Sequence, residues 1–290
     1  MIKDLIKAMR PAQWLKNLFV FAALIFSRQF RSPAQIGLSI LAFVVFCFLS
    51  GAVYLINDVI DAEEDRAHRK KKNRPIASGR LSSRKALAAA TVLMIIALAL
   101  AFAAINPDLG WISLIYFFLM VAYSLLLKRV VILDVLVVAF GFVLRAWAGG
   151  LAIGVPVSAW LYICTFLLAL FLALCKRRHE LVLLEGDAAL HRKILAEYSP
   201  YLLDQMIAVV TSSTVMAYAL YTLHQRTVEE VSDKLYYSLP FVIYGILRYL
   251  YLVHQKAKGG EPGKALIGDL PLLIGVLLWM LSIFIILQFK

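Results

Sequence analysis

The sequence predicts an all-α integral membrane protein with nine transmembrane helices. Of the 290 residues, 62% are hydrophobic, whereas a soluble domain of this length is nearer half apolar. The excess falls in runs that approach the ~20 residues needed to cross a bilayer as a helix. Backbone groups inside lipid must be hydrogen-bonded internally, so such runs are helices. The predicted spans are residues 17–31, 35–57, 85–106, 111–127, 130–150, 158–175, 204–223, 236–254 and 269–288.

Residues 1–16, before the first span, are predicted to form an interfacial amphipathic helix. Ile2, Leu5 and Ile6 recur at helical spacing, and Lys3 and Lys7 fall on the other face. A helix of this kind lies on an anionic membrane surface with its apolar side in the headgroup region. No convincing cleavage site follows, so the first span is expected to stay in the mature chain.

The distribution of Lys and Arg residues predicts the orientation of the chain. With the N-terminus in the cytoplasm, 23 of the 30 Lys and Arg residues fall in cytoplasmic segments and five fall on the opposite side. This bias satisfies the positive-inside rule for a multi-pass protein of the inner (plasma) membrane. It also explains the net charge of +12 without nucleic acid, since the basic run at 69–74 has no interleaved aromatic residues.

Two long, charged loops, 58–84 and 176–203, lie on the predicted cytoplasmic side. Long connections carry function more often than short ones, so these loops are predicted to form a cytoplasmic cap over an active site. The sequence shows no second soluble domain, and residues 1–290 are predicted to form a single transmembrane domain.

An acidic motif ends the second predicted span. Asn57, Asp61 and Asp65 are four residues apart, which places them on one stripe of a helix, about one turn from each other. Oxygen ligands in this arrangement suit Mg²⁺, which takes one or two carboxylates and completes its shell with water and substrate phosphates. Asp58 points ~100° away and is placed to support the site from the side. The alternative is a solvated acidic helix end, but ionisable groups directly after an apolar run are costly and usually functional.

Dense positive charge follows the acidic motif, from residue 68 to residue 74. A metal–diphosphate site needs such cations, because the metal neutralises only part of the phosphate charge. Arg74, directly before Pro75, is the favoured phosphate ligand. For the lysines at 70–72, a role in topology or in binding lipid headgroups fits the sequence equally well.

Three further charged residues lie in or beside the fourth and fifth spans. Arg145 is mid-span, where a charge requires a partner or a water-filled cavity. Asp134 is eleven residues earlier and returns to within ~20° of the same helix face. Both are predicted to line an internal substrate cavity, with a purely structural buried pair as the alternative. Lys128 ends the fourth span opposite the acidic motif, as either a phosphate ligand or a topology charge.

The acidic motif and the segment after it resemble the first aspartate-rich motif of the UbiA superfamily of intramembrane prenyltransferases. The pattern reads Asn57-Asp58-x-x-Asp61-x-x-x-Asp65-Arg66, followed by Arg74-Pro-Ile-Ala-Ser-Gly79. Nine spans also match that family's fold. Within the superfamily the chain looks most like the decaprenyl-phosphate phosphoribosyltransferases, and the segments that carry this likeness are 10–17, 123–134, 139–150 and 176–181.

The resemblance implies a Mg²⁺-dependent pentosyltransferase with a UbiA-like bundle. Such an enzyme moves 5-phosphoribose from 5-phosphoribosyl 1-diphosphate to a polyprenyl, decaprenyl-like phosphate and releases diphosphate, for synthesis of a cell-envelope arabinose donor. The metal ligands are then Asn57, Asp61 and Asp65, which with Asp58 are the catalytic residues. Residue pattern and resemblance together give a substrate-binding set: Gln13, Lys16, Arg66, Arg74, Tyr123, Lys128, Asp134, Arg145, Lys176 and Arg177.

The loop after the sixth span departs from the wider superfamily. Aromatic prenyltransferases carry a second aspartate-rich motif there, whereas Glu180, Glu185 and Asp187 make no four-residue ladder. This departure favours phosphoribosyl transfer. Two alternatives stay open: transfer of a polyprenyl group from its diphosphate to an aromatic acceptor, and a polyanion transporter, although no inverted repeat supports the latter. Homo-oligomer formation, the length of the lipid and the number of metal ions also stay open.

Overall fold

The computed structural model describes residues 2–67, 71–183, 193–256, 259–260 and 262–288. Within these ranges the regular structure is helical, with no β-strand. The chain divides into two compact units, residues 1–157 and residues 158–290. The predicted single domain over residues 1–290 therefore stays a prediction.

The first unit is built from helices in chain order. Residues Pro11–Phe21 form a 3₁₀ stretch before α2, and α5 continues into a π-helical stretch, Leu100–Ile105. The α-helices are α1 (Ile2–Ala8), α2 (Ala22–Phe26), α3 (Pro33–Ile60), α4 (Ala62–Ala67), α5 (Ser83–Ala99), α6 (Pro107–Leu125) and α7 (Leu133–Ala152).

Local sequence signals explain where α5 and α6 begin. The hydroxyl of Ser82 accepts a hydrogen bond from the backbone N–H of Lys85 (3.4 Å), which satisfies one free donor at the start of α5. Asn106 Oδ1 accepts from the backbone N–H of Leu109 (2.8 Å) in the same way. Pro107 occupies the first position of α6, where its missing N–H costs nothing. The Asn106 amide also donates to the carbonyl of Leu151 at the end of α7 (2.8 Å).

Helix α3 lies at the centre of the first unit and packs against α5, α6, α7 and the 3₁₀ stretch. Its Phe46 is fully buried and packs against Tyr116 of α6, with 5.0 Å between the ring centroids and the rings tilted by 51°. Close backbone approach joins α7 to the 3₁₀ stretch, because a Cβ at Gly149 would collide with the carbonyl oxygen of Val20. Only glycine fits at that crossing.

The second unit is also helical, and α8 packs along most of α9. Short 3₁₀ stretches at Lys193–Glu197 and Leu235–Ser238 precede α9 and α11. The α-helices are α8 (Ala159–Leu183), α9 (Pro200–Leu223), α10 (Gln225–Glu230), α11 (Leu239–Gln255), α12 (Pro262–Gly268) and α13 (Leu270–Gln288).

Two ion pairs connect helices within the second unit. Arg248 of α11 donates through Nε and Nη2 to the two carboxylate oxygens of Asp269 (3.0 and 2.9 Å), directly before α13. Arg178 of α8 pairs with Asp204 of α9, which also faces His254 Nε2 of α11 (3.3 Å). These contacts tie the ends of α8, α9 and α11 together.

Eight helices among the described residues are long and apolar enough to cross a membrane. They correspond to the second to ninth predicted spans, which confirms the helical membrane architecture. The first predicted span, 17–31, instead contains the end of a 3₁₀ stretch, the five-residue α2 and a short 3₁₀ turn at Gln29–Arg31. The predicted count of nine spans is therefore not confirmed. On α6, Trp111 and Phe118 are 60% and 59% exposed, as lipid contact requires.

Two predicted helices differ from the structure. The interfacial helix predicted over residues 1–16 is instead α1, Ile2–Ala8, followed by the 3₁₀ stretch that begins at Pro11. The sequence predicts a surface helix over residues 190–203 that breaks near Pro200. Its described part has a 3₁₀ stretch that ends at Glu197, and Pro200 begins the long helix α9. Proline fits there because the first N–H of a helix has no internal partner.

Candidate active site

The acidic motif lies at the end of α3 and in the short helix α4. The backbone N–H of Asp61 donates to the carbonyl of Asn57 (2.9 Å), and that of Asp65 donates to the carbonyl of Asp61 (2.8 Å). The i to i−4 bonding of an α-helix therefore continues through the junction between α3 and α4. As the spacing predicts, Asn57, Asp61 and Asp65 follow one another at intervals of one turn.

Asp61 forms the centre of one charged pair. Its Oδ2 accepts from the amide Nδ2 of Asn57 (3.1 Å), and its Oδ1 lies 2.5 Å from Nζ of Lys128. Lys128 comes from the 3₁₀ turn Leu127–Arg129 that follows α6, and its side chain is 9% exposed. The fold thus brings Lys128 into contact with the acidic motif, although the two are 67 positions apart in the sequence. An anionic substrate at the motif could therefore contact Lys128 as well.

Asp58 and Asp65 are both buried, and both contact the guanidinium of Arg74. Arg74 Nη1 lies 3.2 Å from Asp58 Oδ1 and 2.5 Å from Asp65 Oδ2. Arg10 also donates to Asp58 through Nη2, and Lys71 Nζ lies 3.9 Å from Asp65 Oδ1. A buried carboxylate without a cation would be strongly destabilising, so these arginines are structurally required as well as chemically useful.

The segment after the basic run is a compact turn that fixes Arg74. The backbone N–H of Leu81 donates to the carbonyl of Pro75 (2.9 Å), and Arg66 Nε donates to the carbonyl of Ala77 (3.2 Å). Gly79 has a φ of 78°, which side-chain-bearing residues rarely adopt. The geometry places Arg66 in this support role, whereas Arg74 points at the carboxylates.

The oxygen donors of the motif fit a hard divalent cation. Among the described residues, no three His, Cys, Asp or Glu side chains group closely enough to hold a metal ion. The donors form two pairs instead: Asn57 with Asp61, and Asp58 with Asp65. Mg²⁺ needs only one or two protein carboxylates and takes its remaining ligands from water and phosphate. Since Asn57 turns its Nδ2 toward Asp61, its Oδ1 keeps its lone pairs for such an ion.

Arg145 lies in a buried network of its own. It is 6% exposed, and it donates to Asn17 Oδ1 (2.7 Å), the Gly141 carbonyl (2.7 Å) and the Tyr116 hydroxyl (2.5 Å). Asn17 in turn donates to Ser50 Oγ of α3 (3.3 Å). The guanidinium therefore joins α7, α6 and the 3₁₀ stretch, and the predicted role in a substrate cavity stays a prediction.

The other predicted residues of the first unit lie at different depths. Gln13 and Lys16 are half-buried on the 3₁₀ stretch, and Tyr123 is half-buried near the end of α6. Asp134 is fully buried in the first turn of α7. The turn that connects α6 to α7 carries Lys128, the ion-pair partner of Asp61.

Lys176 and Arg177 belong to the second unit, on α8. Arg177 is 4% exposed and its Nη1 lies 2.7 Å from Glu180 Oε2, whereas Lys176 Nζ lies 3.7 Å from Glu180 Oε1. Both bases thus share one carboxylate on the same helix. The positions Glu185 and Asp187, and the basic residues 68–70, lie outside the described residues.

Sequence reasoning missed the contribution of the N-terminal helix to this site. Arg10 was predicted as a basic residue of the N-terminal amphipathic helix and as part of the likeness at 10–17, with no contact to the acidic motif. It reaches the buried Asp58, and its guanidinium lies over the ring of Tyr54, 4.8 Å from the ring centroid. Lys7 and Asn73 line a cavity with Arg10, Asp58 and Arg74. The only sequence signal was an arginine directly before Pro11, a position where helical backbone is disfavoured.

A comparison with protein-family models identifies the family of the chain. The model of the UbiA prenyltransferase family matches residues 17–268. The chain belongs to that family. The resemblance drawn from the acidic motif is confirmed, and the UbiA chain is a multi-pass membrane protein.

Three relatives that align over nearly the full length are decaprenyl-phosphate phosphoribosyltransferases. A decaprenyl-phosphate phosphoribosyltransferase of Corynebacterium glutamicum is 36% identical, with 96% of this chain and 85% of the relative covered. Proteins with the same description from Mycolicibacterium smegmatis and Mycobacterium tuberculosis are 34% and 32% identical. They cover 97% and 98% of this chain, and 91% and 94% of their own lengths.

Solved structures of UbiA homologues share the fold. A homologue from Archaeoglobus fulgidus bound to DMAPP and Mg²⁺ aligns with a TM-score of 0.74 and 22% identity, over 99% of this chain and all of the other. The same homologue bound to GPP and Mg²⁺ gives a TM-score of 0.75 at 22% identity, over 98% of this chain and 99% of the homologue. At this identity the likeness concerns the fold.

Proposed function

We propose that this UbiA-family protein transfers 5-phosphoribose from 5-phosphoribosyl 1-diphosphate to a polyprenyl phosphate and releases diphosphate. The observation that carries the proposal is the 32–36% identity, over nearly the whole chain, to relatives described as decaprenyl-phosphate phosphoribosyltransferases. The charged cluster supports it, because two polyanionic substrates must be held together and Arg10, Arg74 and Lys128 provide positive charge beside carboxylates. The product would serve the synthesis of a cell-envelope arabinose donor.

Asn57 and Asp61, with Asp65 one turn further, are the proposed ligands of Mg²⁺. Support comes from the pairing of Asn57 with Asp61 and from a solved neighbour that is bound to DMAPP and Mg²⁺. When bound, the ion supplies charge neutralisation to the diphosphate. Asp58 belongs to the same catalytic group. Its role is that of a buried anion that orients Arg10 and Arg74.

The proposed reaction needs cations to stabilise negative charge, and it needs no general base. An oxygen of the acceptor phosphate attacks C1 of the ribose, while the bond from C1 to diphosphate breaks and its electrons leave with the diphosphate. The acceptor phosphate is already ionised, so no general base is needed. Lys128, which contacts the Asp61 carboxylate, stabilises the charge that builds on the leaving diphosphate, in a partly buried site where such interactions are strong.

The remaining substrate contacts and the placement of the chain belong to the same proposal. The N-terminus and the active site face the cytoplasm from the plasma membrane, in keeping with the charge bias of the sequence. Whether copies of the chain associate stays open. The further proposed substrate-binding residues are Gln13, Lys16, Arg66, Tyr123, Asp134, Lys176 and Arg177.

A turnover assay tests the proposal. Purified protein in detergent receives Mg²⁺, radiolabelled 5-phosphoribosyl 1-diphosphate and a polyprenyl phosphate, and label is followed into the organic phase. We expect label that disappears with EDTA. Folded protein that transfers no label to several lipid phosphates would contradict the proposal and favour transfer of a prenyl group from its diphosphate to an aromatic acceptor.

A further inference from the structure

A cavity beneath the N-terminal helix is lined by positive charge. Its volume is about 270 Å³, and its lining includes Lys7, Arg10, Asp58, Asn73 and Arg74. We call this set the N-terminal pocket. An ordered water takes about 30 Å³ of space, so the N-terminal pocket has room for a hydrated phosphate group.

The charges of the N-terminal pocket do not cancel within it. Lys7, Arg10 and Arg74 are cationic, whereas Asp58 is the lining carboxylate. Arg74 shares its charge with Asp65 as well, and Lys7 forms no ion pair with the described residues. The excess positive charge therefore favours the binding of an anion.

The two guanidiniums keep donors for a ligand. Among the described residues, Arg10 hydrogen-bonds through Nη2 to Asp58, and Arg74 bonds through Nη1 to Asp58 and Asp65. A guanidinium has five N–H donors in a planar fork, so most of them stay available. Asp58, 2% exposed, is the buried anion that holds both forks in place.

Arg10 adopts a strained backbone to reach this position. Its φ and ψ are 54° and 66°, in the left-handed region that residues with a side chain rarely adopt. The conformation is fixed by the ion pair with Asp58 and by stacking over Tyr54. Strain that the surroundings hold in place clusters at ligand-binding sites.

We propose that the N-terminal pocket binds a phosphate monoester of a substrate. This inference rests on the proposed function, because the two substrates there supply the monoester: the 5-phosphate of the ribosyl donor or the phosphate of the lipid. A phosphate monoester carries a charge of about −1.5 to −2, which matches the positive excess. The donor fits best because it carries a diphosphate on C1 and a monoester phosphate on C5 of the ribose, so that it can occupy two neighbouring anion sites at once. Its diphosphate would then lie at Asn57 and Asp61 while its 5-phosphate enters beside Asp58, the next residue after Asn57.

Binding of ribose 5-phosphate to the full chain in detergent tests the N-terminal pocket without turnover. The variant is Lys7→Gln, since Lys7 is exposed at the end of α1 and its replacement leaves the buried pairs intact. Loss of one charge-assisted hydrogen bond should raise Kd about tenfold. The matched control is Lys3→Gln, which removes the same charge from an exposed position of α1 that does not line the pocket.

Steady-state kinetics and a second ligand distinguish the sources of the phosphate. A raised KM for 5-phosphoribosyl 1-diphosphate with unchanged KM for lipid assigns the N-terminal pocket to the donor. A raised KM for lipid, with prenyl phosphate displacing ribose 5-phosphate, assigns it to the acceptor. If Lys7→Gln and Lys3→Gln bind both phosphates as the unmodified chain does, the inference is wrong. If ribose 5-phosphate binding weakens only in Lys7→Gln but the unmodified chain transfers no label, the N-terminal pocket stands and the proposed function fails.

Discussion

Replacing Arg145 with leucine separates a structural role of this residue from a role in substrate binding. The guanidinium donates three hydrogen bonds of 2.5–2.7 Å to Asn17, Tyr116 and Gly141. A side-chain hydrogen bond between membrane helices is worth on average ~0.6 kcal/mol and at most ~1.7 kcal/mol. Two of the three bonds, to Asn17 and Tyr116, leave α7, so we expect Arg145→Leu to lower the free energy of unfolding by about 1 kcal/mol, and by no more than about 3 kcal/mol.

The measurement is unfolding in detergent, followed by circular dichroism, together with KM for both substrates. Because the donors of Arg145 are directed at protein oxygens, we expect both KM values to stay within about twofold of the unmodified chain. The control is Arg84→Leu, which removes an exposed arginine at the start of α5 and should change stability by less than about 0.5 kcal/mol. An Arg145→Leu protein with unchanged stability and a KM raised tenfold would refute this reasoning and place the guanidinium in the substrate cavity.

Three further predictions concern the acidic motif and the packing beside it. Asp61→Asn should reduce turnover by more than about 100-fold while the size-exclusion profile stays that of folded protein; substantial residual activity would rule out Asp61 as a metal ligand. Lys128→Met should leave the Asp61 carboxylate without its 2.5 Å partner and lower the free energy of unfolding by about 3 kcal/mol; an unchanged denaturation curve would show that the pair contributes nothing. Gly149→Ala should cost about 1–3 kcal/mol, because its Cβ meets the carbonyl of Val20; a melting temperature equal to that of the unmodified chain would contradict that contact.

The sequence predicted the long helices because membrane spans are a property of composition. Runs such as 35–57 and 269–288 are apolar enough to identify alone, and the structure has Pro33–Ile60 and Leu270–Gln288 there. The first predicted span failed for a physical reason. Asn17 is fully buried and hydrogen-bonded to Arg145, so part of that apolar run packs against protein as a 3₁₀ stretch.

The candidate site was only partly predictable. The four-residue spacing from Asn57 to Asp65 is a local signal, and the fold realises it on a helix. The partners of the carboxylates are not local: Arg10 lies 48 positions before Asp58, and Lys128 lies 67 positions after Asp61. No periodicity encodes which cation meets which carboxylate. Likewise, a charged residue inside a span is expected to have partners, but the sequence does not reveal that the partners of Arg145 are neutral oxygens.

The spacing of these partners along the chain has a consequence for biosynthesis. As the polypeptide leaves the ribosome, Asp58 finds Arg10 already made and Arg74 follows soon after, so its charge is matched early. Asp61 has to wait until Lys128 emerges, which requires α5 and α6 to be synthesised first. During that interval the Asp61 carboxylate has no lysine to pair with. A nascent chain halted before residue 128 therefore carries an Asp61 carboxylate that lacks its ion-pair partner.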